Sequence, residues 1–453
     1  MAADVLTRAR GRIDTYFGIS SNGSTMKREL MAGTITFLAM SYVLAVNPSV
    51  LGDAGPLGDK GIPMQAVFTA TAVAAVFGTL VMGLWAKYPI ALAPGMGLNA
   101  FFAYSVVLGM GIPWQVALSG TFLSGVIFFV LAITKVRERI LDAIPMQMKL
   151  AVGAGIGMFV AFLGLKNAGI VVNSDATLVM LGDFTKGTTL LALFGLVVTI
   201  VFLVIGWHGA VLYGIVLTAL VGVISGLVDL PDSVVEMPKG LEHTFGQAII
   251  HLPDAFTGQM AVVILTMLFV DFFDCSGTLI GVANQAGLLD KDGKLPRAAS
   301  ALAADSVGTM AGAVIGTSTT TAYVESTAGV SAGGRTGMTA VTTAGWFLLA
   351  MFCYPIFAVV AGSASITAPA LIVVGVLMSR ALGAIDWNRL EYSIPAFITV
   401  IMMPLTYSIA NGLAMGMLFY PIVMVAKGRV KEVHPAMWAL MVMFLGYFFF
   451  LAD

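Results

Sequence analysis

The chain has 453 residues, of which 58% are hydrophobic and 10% are charged, and its formal net charge is −1. Soluble domains carry about 25% charged residues, so this composition and a mean hydropathy of +0.95 exclude an ordinary soluble protein. The near-zero charge gives no basic surface for nucleic acid, and we expect no nucleic-acid partner.

Apolar segments long enough to cross a membrane recur along the whole chain. A helix needs about 20 apolar residues to span a hydrocarbon core about 30 Å thick, and its backbone must be hydrogen-bonded within the segment. A further apolar stretch, 435–452, is either an extra C-terminal helix or part of a broken one. The predicted fold class is an all-α polytopic membrane protein with about fourteen segments: 27–51, 64–86, 88–109, 113–134, 148–169, 188–206, 207–228, 257–283, 297–316, 318–332, 337–361, 366–383, 392–410 and 411–427.

Lysine and arginine residues concentrate in loops on one side of this arrangement. Since such loops face the cytoplasm, we predict a cytoplasmic N-terminus in the inner (plasma) membrane. The stretch Val136–Ile144 is predicted to be an amphipathic helix at the interface. The basic residues are Lys27, Arg28, Lys135, Arg137, Arg139, Lys149, Lys291, Lys294, Arg297 and Arg335.

Each half of the chain contains one short segment interrupted by glycine, proline or hydroxyl residues: Ala93–Ala100 and Gly316–Tyr323. Broken segments at matching positions in two halves indicate a transport site near the midplane. We therefore predict two inverted seven-segment repeats. The expected divisions are an N-terminal segment 1–26, a first repeat 27–229, an extracytoplasmic loop 230–256, a second repeat 257–427 and a hydrophobic C-terminal segment 428–453.

The eighth segment contains two acids. Asp271, Asp274 and Thr278 are spaced three and four apart, so they share roughly one helix face. A carboxylate there can accept hydrogen bonds from a flat ligand with adjacent N–H groups, or hold a proton. The alternative is an aspartate near a helix end that reaches water. An acid inside the bilayer costs about 2.5–3.5 kcal/mol on insertion scales, so each one suggests a function.

Two further acids lie in the next segments. Glu325 follows a run of hydroxyl residues and is expected at the start of a half-helix, either facing a ligand or capping its own helix. Asp305 in the ninth segment has only hydroxyl neighbours, and a structural hydrogen bond is the favoured interpretation.

Several other residues have more than one interpretation. Asn99 either faces a ligand or ties two half-helices together, and Phe37 either packs or stacks on a planar ring. Cys275 and Cys353 are expected to be free thiols, so we predict no metal site and no cofactor other than the coupling ion. The sequence has no GxSxG, HExxH or phosphate-binding GxxxxGK[ST] motif, so we expect a chain that is not an enzyme.

Four stretches together resemble a known family: Met31–Pro48, Ala93–Ala100, Asp271–Thr278 and Gly316–Ser326. In order and over nearly the whole chain, they are similar to the AzgA-like hypoxanthine, adenine and guanine permeases of the nucleobase–cation symporter-2 superfamily. The resemblance implies a core domain carrying the site, a gate domain that could mediate a homodimer, and short strands in the third and tenth segments. It also implies proton symport of a purine nucleobase across the lipid bilayer.

The resemblance also implies roles for individual residues. Asp274 and Glu325 would bind the purine with Thr278 beside them, and the proton-coupling candidates are Glu325, Asp274 and Asp271. The other implied substrate-site residues are Phe37, Asn99, Ala100, Phe101 and Ser326. Uracil-specific relatives have a Glu and a His at the places of Asp274 and Thr278, so this departure favours a purine. The alternatives are a uracil or xanthine permease, an anion carrier or exchanger of the same architecture, and a channel or membrane enzyme.

Overall fold

The computed structural model describes residues 11–134, 144–231, 233–291 and 294–450. The strands are β1 Leu92–Pro94, β2 Val171–Ser174, β3 Leu178–Leu181 and β4 Thr320–Ala322. The α-helices are α1 Met26–Met40, α2 Val43–Leu51, α3 Met64–Val81, α4 Met96–Ala100, α5 Trp114–Ile133, α6 Met146–Asn167, α7 Gly187–Ile205, α8 Ala210–Ile224, α9 Leu241–Thr244, α10 Gln247–Ile250, α11 Gly258–Gln285, α12 Ala298–Ile315, α13 Ser326–Ser331, α14 Gly337–Ala350, α15 Tyr354–Ala361, α16 Ala364–Met378, α17 Leu390–Leu405, α18 Ile409–Ala426 and α19 Pro435–Phe450.

Within these described ranges, ten helical stretches are long and apolar enough to cross a membrane. Four shorter apolar helices accompany them: Met96–Gly109, Ala210–Ile224, Leu390–Leu405 and Pro435–Gly446. With the broken β4–α13 segment, they follow the predicted order, so the all-α polytopic fold is confirmed. The C-terminal stretch forms a helix of its own, α19. The predicted interfacial helix Val136–Ile144 lies outside the described residues, apart from Ile144.

Local sequence signals explain where many of these helices begin. Pro63, Pro113 and Pro145 immediately precede α3, α5 and α6, because a proline has a fixed φ and no N–H with which to continue a preceding helix. The hydroxyls of Thr25, Thr257, Thr336 and Ser408 accept hydrogen bonds from the first turns of α1, α11, α14 and α18.

The two broken segments meet in the middle of the molecule. β1 and β4 pair antiparallel, with Leu92 opposite Ala322 and Pro94 opposite Thr320. The pairing confirms the short strands expected in the third and tenth segments. The Tyr323 hydroxyl donates to the Pro94 carbonyl at 2.5 Å, which holds the second strand against the first.

Hydroxyl groups on neighbouring helices bind each strand in the same way. Thr79 on α3 donates to the Leu92 carbonyl at 2.9 Å, and Thr309 on α12 donates to the Thr320 carbonyl at 2.8 Å. A strand of three residues cannot satisfy its backbone alone in a membrane interior. These threonines supply the missing partners, so the crossing point of the two halves is polar and rigid.

The long helices pack as two groups. One group contains α1–α5 with α11–α14, and the other contains α6–α8 with α16–α18; contacts are most extensive within each group. Glycines allow close packing inside the second group, where a Cβ on Gly375 would lie 2.4 Å from the Gly157 carbonyl oxygen. Between the groups, Gly97 of α4 lies directly against Ile156 of α6.

Three local features differ from simple spanning helices. The first segment breaks at residues 41–42, between α1 and α2, and the third continues beyond α4 as a π-helix, Phe101–Gly109. Strands β2 and β3 form a hairpin that connects α6 to α7. Apolar pattern alone did not predict these features, because a break or a widened turn leaves the hydrophobicity of a segment unchanged.

Glu29 at the start of α1 connects the two halves of the first group. It is fully buried and accepts hydrogen bonds from the backbone N–H groups of Arg335, Thr336 and Thr339, and from both threonine hydroxyls. We expect Glu29→Ala to lower the free energy of unfolding by about 2–3 kcal/mol, because it leaves buried donors unpaired. The midpoint of thermal unfolding in detergent measures this.

The matched control for this prediction is Glu432→Ala. Glu432 lies at an exposed end of the bundle in an ion pair with Arg429, where such pairs contribute at most about 1 kcal/mol. An unchanged midpoint for Glu29→Ala would contradict the role assigned to Glu29.

Candidate functional site

A cavity of about 480 Å³ lies between the two helix groups. Its walls come from α11 and the residues entering α13 on one side, and from α6 and α16 on the other. A volume of this size is typical of small-molecule sites. The lining residues are Met146, Lys149, Leu150, Val152, Gly153, Ile156, Val270, Phe273, Asp274, Ser276, Gly277, Thr278, Ile280, Val324, Glu325, Val374, Leu377, Met378 and Ala381.

The two acids predicted to bind substrate both face this cavity. Asp274 lies well inside α11, so the alternative of a carboxylate at a helix end does not apply to it. Glu325 immediately precedes α13 and makes no capping hydrogen bond with its own helix. The two carboxylates interact electrostatically, and Thr278 lines the same wall. The structure thus brings Asp274, Thr278 and Glu325 together.

Tyr42 positions the Glu325 carboxylate. It lies at the break between α1 and α2, is buried, and donates from its hydroxyl to Glu325 Oε1 at 2.7 Å. One carboxylate oxygen is therefore fixed by the protein. Glu325 lines the cavity, where its carboxylate can accept hydrogen bonds from a ligand.

Asp271 shares the α11 face with Asp274 but does not line the cavity. It is almost fully buried, and Thr309 of α12 donates to its Oδ2 atom at 3.3 Å. Two helical turns separate Asp271 from Thr278, and at the depth of Asp271 the face is covered by α12 and β4. The spacing along α11 predicted that the three residues share a face, but it did not predict that α12 and β4 bury Asp271.

The predicted residues of the broken segments are buried behind the site. Asn99, Ala100 and Phe101 do not line the cavity, and the Ser318 hydroxyl donates to the Asn99 side-chain oxygen. Asn99 therefore ties the two broken segments together, which was one of its two interpretations. Ser326 accepts from the backbone N–H of Ala91 at 3.0 Å and likewise connects the halves.

The aromatic residue on the cavity wall is Phe273 rather than Phe37. Phe37 stacks on Trp346 with ring centroids 6.1 Å apart and meets Phe347 edge-on at 5.1 Å, between α1 and α14. Packing, its alternative interpretation, is what the structure shows for Phe37. Phe273 stacks on Phe269 within α11 and presents its ring to the cavity.

Sequence reasoning missed the wall formed by α6 and α16. Lys149 was interpreted only as a flanking charge, yet it lines the cavity with its ammonium group 6.0 Å from the centre of the Phe273 ring. Gly153 also lines the cavity, and a Cβ on it would meet no atom within 4 Å. No local pattern links α6 to α11, because only the tertiary fold brings them together.

The site is acidic and can bind a neutral ligand that donates hydrogen bonds. Two carboxylates and one ammonium group line the cavity, together with the hydroxyls of Ser276 and Thr278. Over the described ranges, no group of three or more His, Cys, Asp or Glu side chains could hold a metal ion. Cys275 is a buried free thiol and Cys353 a partly buried one.

The chain matches the family model described as the Permease family over residues 27–415. It is 53% identical to the guanine/hypoxanthine permease PbuG of Bacillus subtilis (strain 168), over 96% of this chain and 99% of that one. It is 41% identical to the adenine permease AdeP of Escherichia coli (strain K12), over 97% and 96% of the two chains.

Solved structures with the same fold are much less similar in sequence. The transmembrane domain of the cyanobacterial bicarbonate transporter BicA gives a TM-score of 0.60 at 14% identity, covering 85% of this chain and 97% of that one. SLC26A9 gives a TM-score of 0.60 at 10% identity, covering 93% and 69%. At such identities the likeness concerns the fold alone.

The family model spans residues 27–415, and the two permeases are 53% and 41% identical to this chain over nearly its whole length. Three of the four stretches that carry the resemblance lie in the two broken segments and α11. A multi-pass transporter, not an enzyme, accounts for both the fold and the relatives. The chain belongs to the permease family and, as its motifs predicted, to the AzgA-like branch of the nucleobase–cation symporter-2 superfamily.

Proposed function

We propose that this protein imports purine nucleobases (hypoxanthine, guanine or adenine) across the plasma membrane by proton symport. The observation that carries the proposal is the pair of carboxylates, Asp274 and Glu325, facing one cavity from two different segments. A purine has N–H groups on its edge, and carboxylate oxygens accept such hydrogen bonds without a metal or cofactor. The names of the similar permeases support a purine as the substrate.

The cavity walls suit a flat, neutral base. Phe273 offers an aromatic surface, and Val270 and Ile156 are apolar neighbours. An anionic substrate would be repelled, because two carboxylates outnumber the single ammonium group of Lys149. This charge balance favours a purine symporter over an anion carrier of the same architecture.

The arrangement of cavities fits alternating access. The site cavity lies at the end of α6 that begins with Met146, predicted to be cytoplasmic, and Met146 is 65% exposed. A second cavity of about 840 Å³ lies at the opposite end, beside Lys166 and Tyr407. Between them, Phe159 and Phe162 of α6 pack edge-on against Tyr407 at 5.8 and 5.7 Å. The acids are thus accessible from the inner side in this conformation.

An elevator-like movement would change the side of the membrane from which the two acids are accessible. The group containing α11 and α13 carries both acids and would act as the core, and the group containing α6 and α16 would act as the gate. Gly97, which has no side chain, lets α4 of one group lie directly against Ile156 of the other. Core movement would carry the bound base from one cavity to the other. We also propose that the N-terminus is cytoplasmic and that the gate groups of two copies form a homodimer.

Uptake of labelled bases tests the proposal. Bacteria without their own nucleobase carriers would express the protein and receive hypoxanthine, guanine, adenine, xanthine or uracil, with and without a protonophore. We expect protonophore-sensitive uptake of at least one of the first three bases. Uptake of none of the five, with the protein present in the membrane, would contradict the proposed substrate class.

A smaller effect is expected from Tyr42→Phe. The change removes the hydroxyl that fixes Glu325 and keeps the ring, so we expect purine affinity to fall about tenfold, equivalent to about 1.4 kcal/mol. Competition for labelled purine uptake measures the affinity. Tyr213→Phe on α8 is the matched control, because Tyr213 makes ring contacts away from the cavity. Equal affinities for the two variants would refute the role of Tyr42.

A further inference from the structure

Two carboxylic acids are buried together behind the site. Asp305 of α12 is 0% exposed and Asp271 of α11 is 1% exposed, and each is close enough to the other for their charges to interact. Neither lines the site cavity or the cavity at the opposite end. Two ionised carboxylates close together and away from water repel each other and lose their hydration.

The cations of α6, the helix that packs against α11, face the two cavities: Lys149 lines the site cavity and Lys166 the cavity at the opposite end. The titratable groups that act on the pair are Asp274 and Cys275, both on α11. The helices α3 and α5 pack against α12 and contain no ionisable residue, and β1 and β4 contain none either. Tyr323 and Glu325 follow β4 and lie nearer to Asp274. The groups that act on the pair itself are therefore acidic or neutral.

Three of the four carboxylate oxygens of the pair lack a well-formed hydrogen bond. Oδ1 of Asp271 and both carboxylate oxygens of Asp305 have no hydrogen-bond partner of good geometry. Thr321, itself only 1% exposed, approaches both carboxylates, yet its hydroxyl is also unpartnered. An unsatisfied buried polar group costs about 1–3 kcal/mol, and more when it is charged. Only neutral donors, the Thr321 hydroxyl, the Cys275 thiol and the Ala322 backbone N–H, approach Asp305, so a proton held on the pair would supply the donor that the unpartnered oxygens lack.

We propose that Asp271 and Asp305 share the proton that is transported together with the substrate; this rests on the proposed function. An O–H bond forms on one carboxylate oxygen as a hydronium ion gives up a proton and becomes water, and that carboxylic acid then donates a hydrogen bond to its neighbour. The reverse step returns the proton to water. A proton requires no cavity, whereas a metal ion requires space and several oxygen ligands. Asp305 was expected to make only a structural hydrogen bond, so this assigns it a new role.

The pair is connected to the substrate site by short links. Asp274 lies one turn from Asp271 on α11 and faces the cavity, so it can pass a proton between the pair and water. Thr309 contacts Asp271 and also donates to the Thr320 carbonyl of β4, the strand that leads to Glu325. Protonation of the pair would therefore affect the hydrogen bonds of Thr309 to Asp271 and to β4. Because β4 leads to Glu325, the pair is linked in this way to a substrate-binding acid.

Infrared spectroscopy of the purified full-length protein tests the shared proton without any substrate. We expect the carbonyl stretch of a protonated carboxylic acid at neutral pH, and we expect Asp305→Asn and Asp271→Asn each to remove this component. Asp183→Asn, in an exposed loop, is the matched control and should leave it unchanged. The proposal would be overturned if the wild type showed no carbonyl stretch of a protonated acid, or if this stretch persisted in both Asp305→Asn and Asp271→Asn.

Flux measurements in proteoliposomes test the coupling. For Asp305→Asn, we expect exchange of labelled for unlabelled hypoxanthine within about twofold of wild type. We expect accumulation driven by a pH gradient to fall at least tenfold, with loss of purine-dependent proton entry. The proposal would be refuted if Asp305→Asn showed the same proton entry and purine accumulation as the wild type. It would also be refuted if accumulation by the wild type required a sodium gradient. If the wild type exchanged no purine, the proposed function would fail, and the infrared result would still decide the shared proton.

Discussion

Replacing either cavity-facing acid with its amide is expected to reduce purine uptake about 100-fold. Asp274→Asn and Glu325→Gln keep the size of the side chain but remove the charge proposed to accept hydrogen bonds from the base. A hydrogen bond to a charged group contributes about 1.5–3 kcal/mol, and 2.7 kcal/mol corresponds to about two orders of magnitude. Initial uptake rates, normalised to the amount of protein in the membrane, measure the effect.

The comparison with Asp305→Asn distinguishes binding from coupling. Variants of Asp274 and Glu325 should lose both exchange and accumulation, because they bind the base poorly. Asp305→Asn should lose accumulation alone. If Glu325→Gln and Asp274→Asn both accumulated hypoxanthine at the wild-type rate, the roles assigned to the two cavity acids would be refuted.

A larger side chain should have different effects at two glycines on one face of α6: loss of uptake at Gly153 and loss of stability at Gly157. Gly153 faces the cavity, and a Cβ added to it would have no neighbour within 4 Å, so Gly153→Leu should fold normally. Its side chain would fill the space for the base, and we expect uptake to fall more than tenfold. Gly157 lies one turn further along α6, where a Cβ would be 2.7 Å from Met378 Cβ and 2.8 Å from the Gly375 carbonyl oxygen. Gly157→Leu should therefore lower the free energy of unfolding by about 1–3 kcal/mol or more.

Thermal unfolding and uptake of both variants, measured together, check this prediction. Gly153→Ala is the control for size, because a single methyl group leaves most of the 480 Å³ cavity open. If Gly153→Leu unfolded at a lower temperature than Gly157→Leu, or transported purine normally, the assigned position of the cavity wall would be wrong.

The sequence was sufficient to predict most of the helices. An apolar run of about 20 residues has one stable form in a bilayer, so stretches such as Trp114–Ile133 and Gly187–Ile205 could be bounded within a few residues. The strands at Leu92 and Thr320 came from resemblance to a family, since three residues carry no periodicity of their own. The hairpin β2–β3 was missed, although it lies between two correctly predicted helices.

The site was only partly predictable for a different reason. Asp274 and Glu325 stood out because acids are costly in a membrane. Phe37 and Phe273 are equally apolar, and only packing shows that one contacts Trp346 and the other faces the cavity. Lys149 and Gly153 reach the site from a distant part of the chain. The energetic cost of burying an acid in a membrane makes such residues recognisable in the sequence. The residues of the apolar walls cannot be recognised in this way, because they depend on how the helices pack together.

The likeness to anion transporters bears on the fold rather than on the substrate. BicA and SLC26A9 are at most 14% identical to this chain, whereas PbuG is 53% identical. One architecture can serve different solutes when the side chains in the cavity differ. Here the cavity presents Asp274 and Glu325, which favour a ligand that donates hydrogen bonds.

The most direct test is transport by the purified protein in proteoliposomes with an imposed pH gradient, acidic outside. We predict that labelled hypoxanthine accumulates inside and that an internal dye reports purine-dependent proton entry. Labelled bicarbonate and chloride should not enter. Entry of either anion without any purine flux would contradict the central claim and would favour an anion carrier.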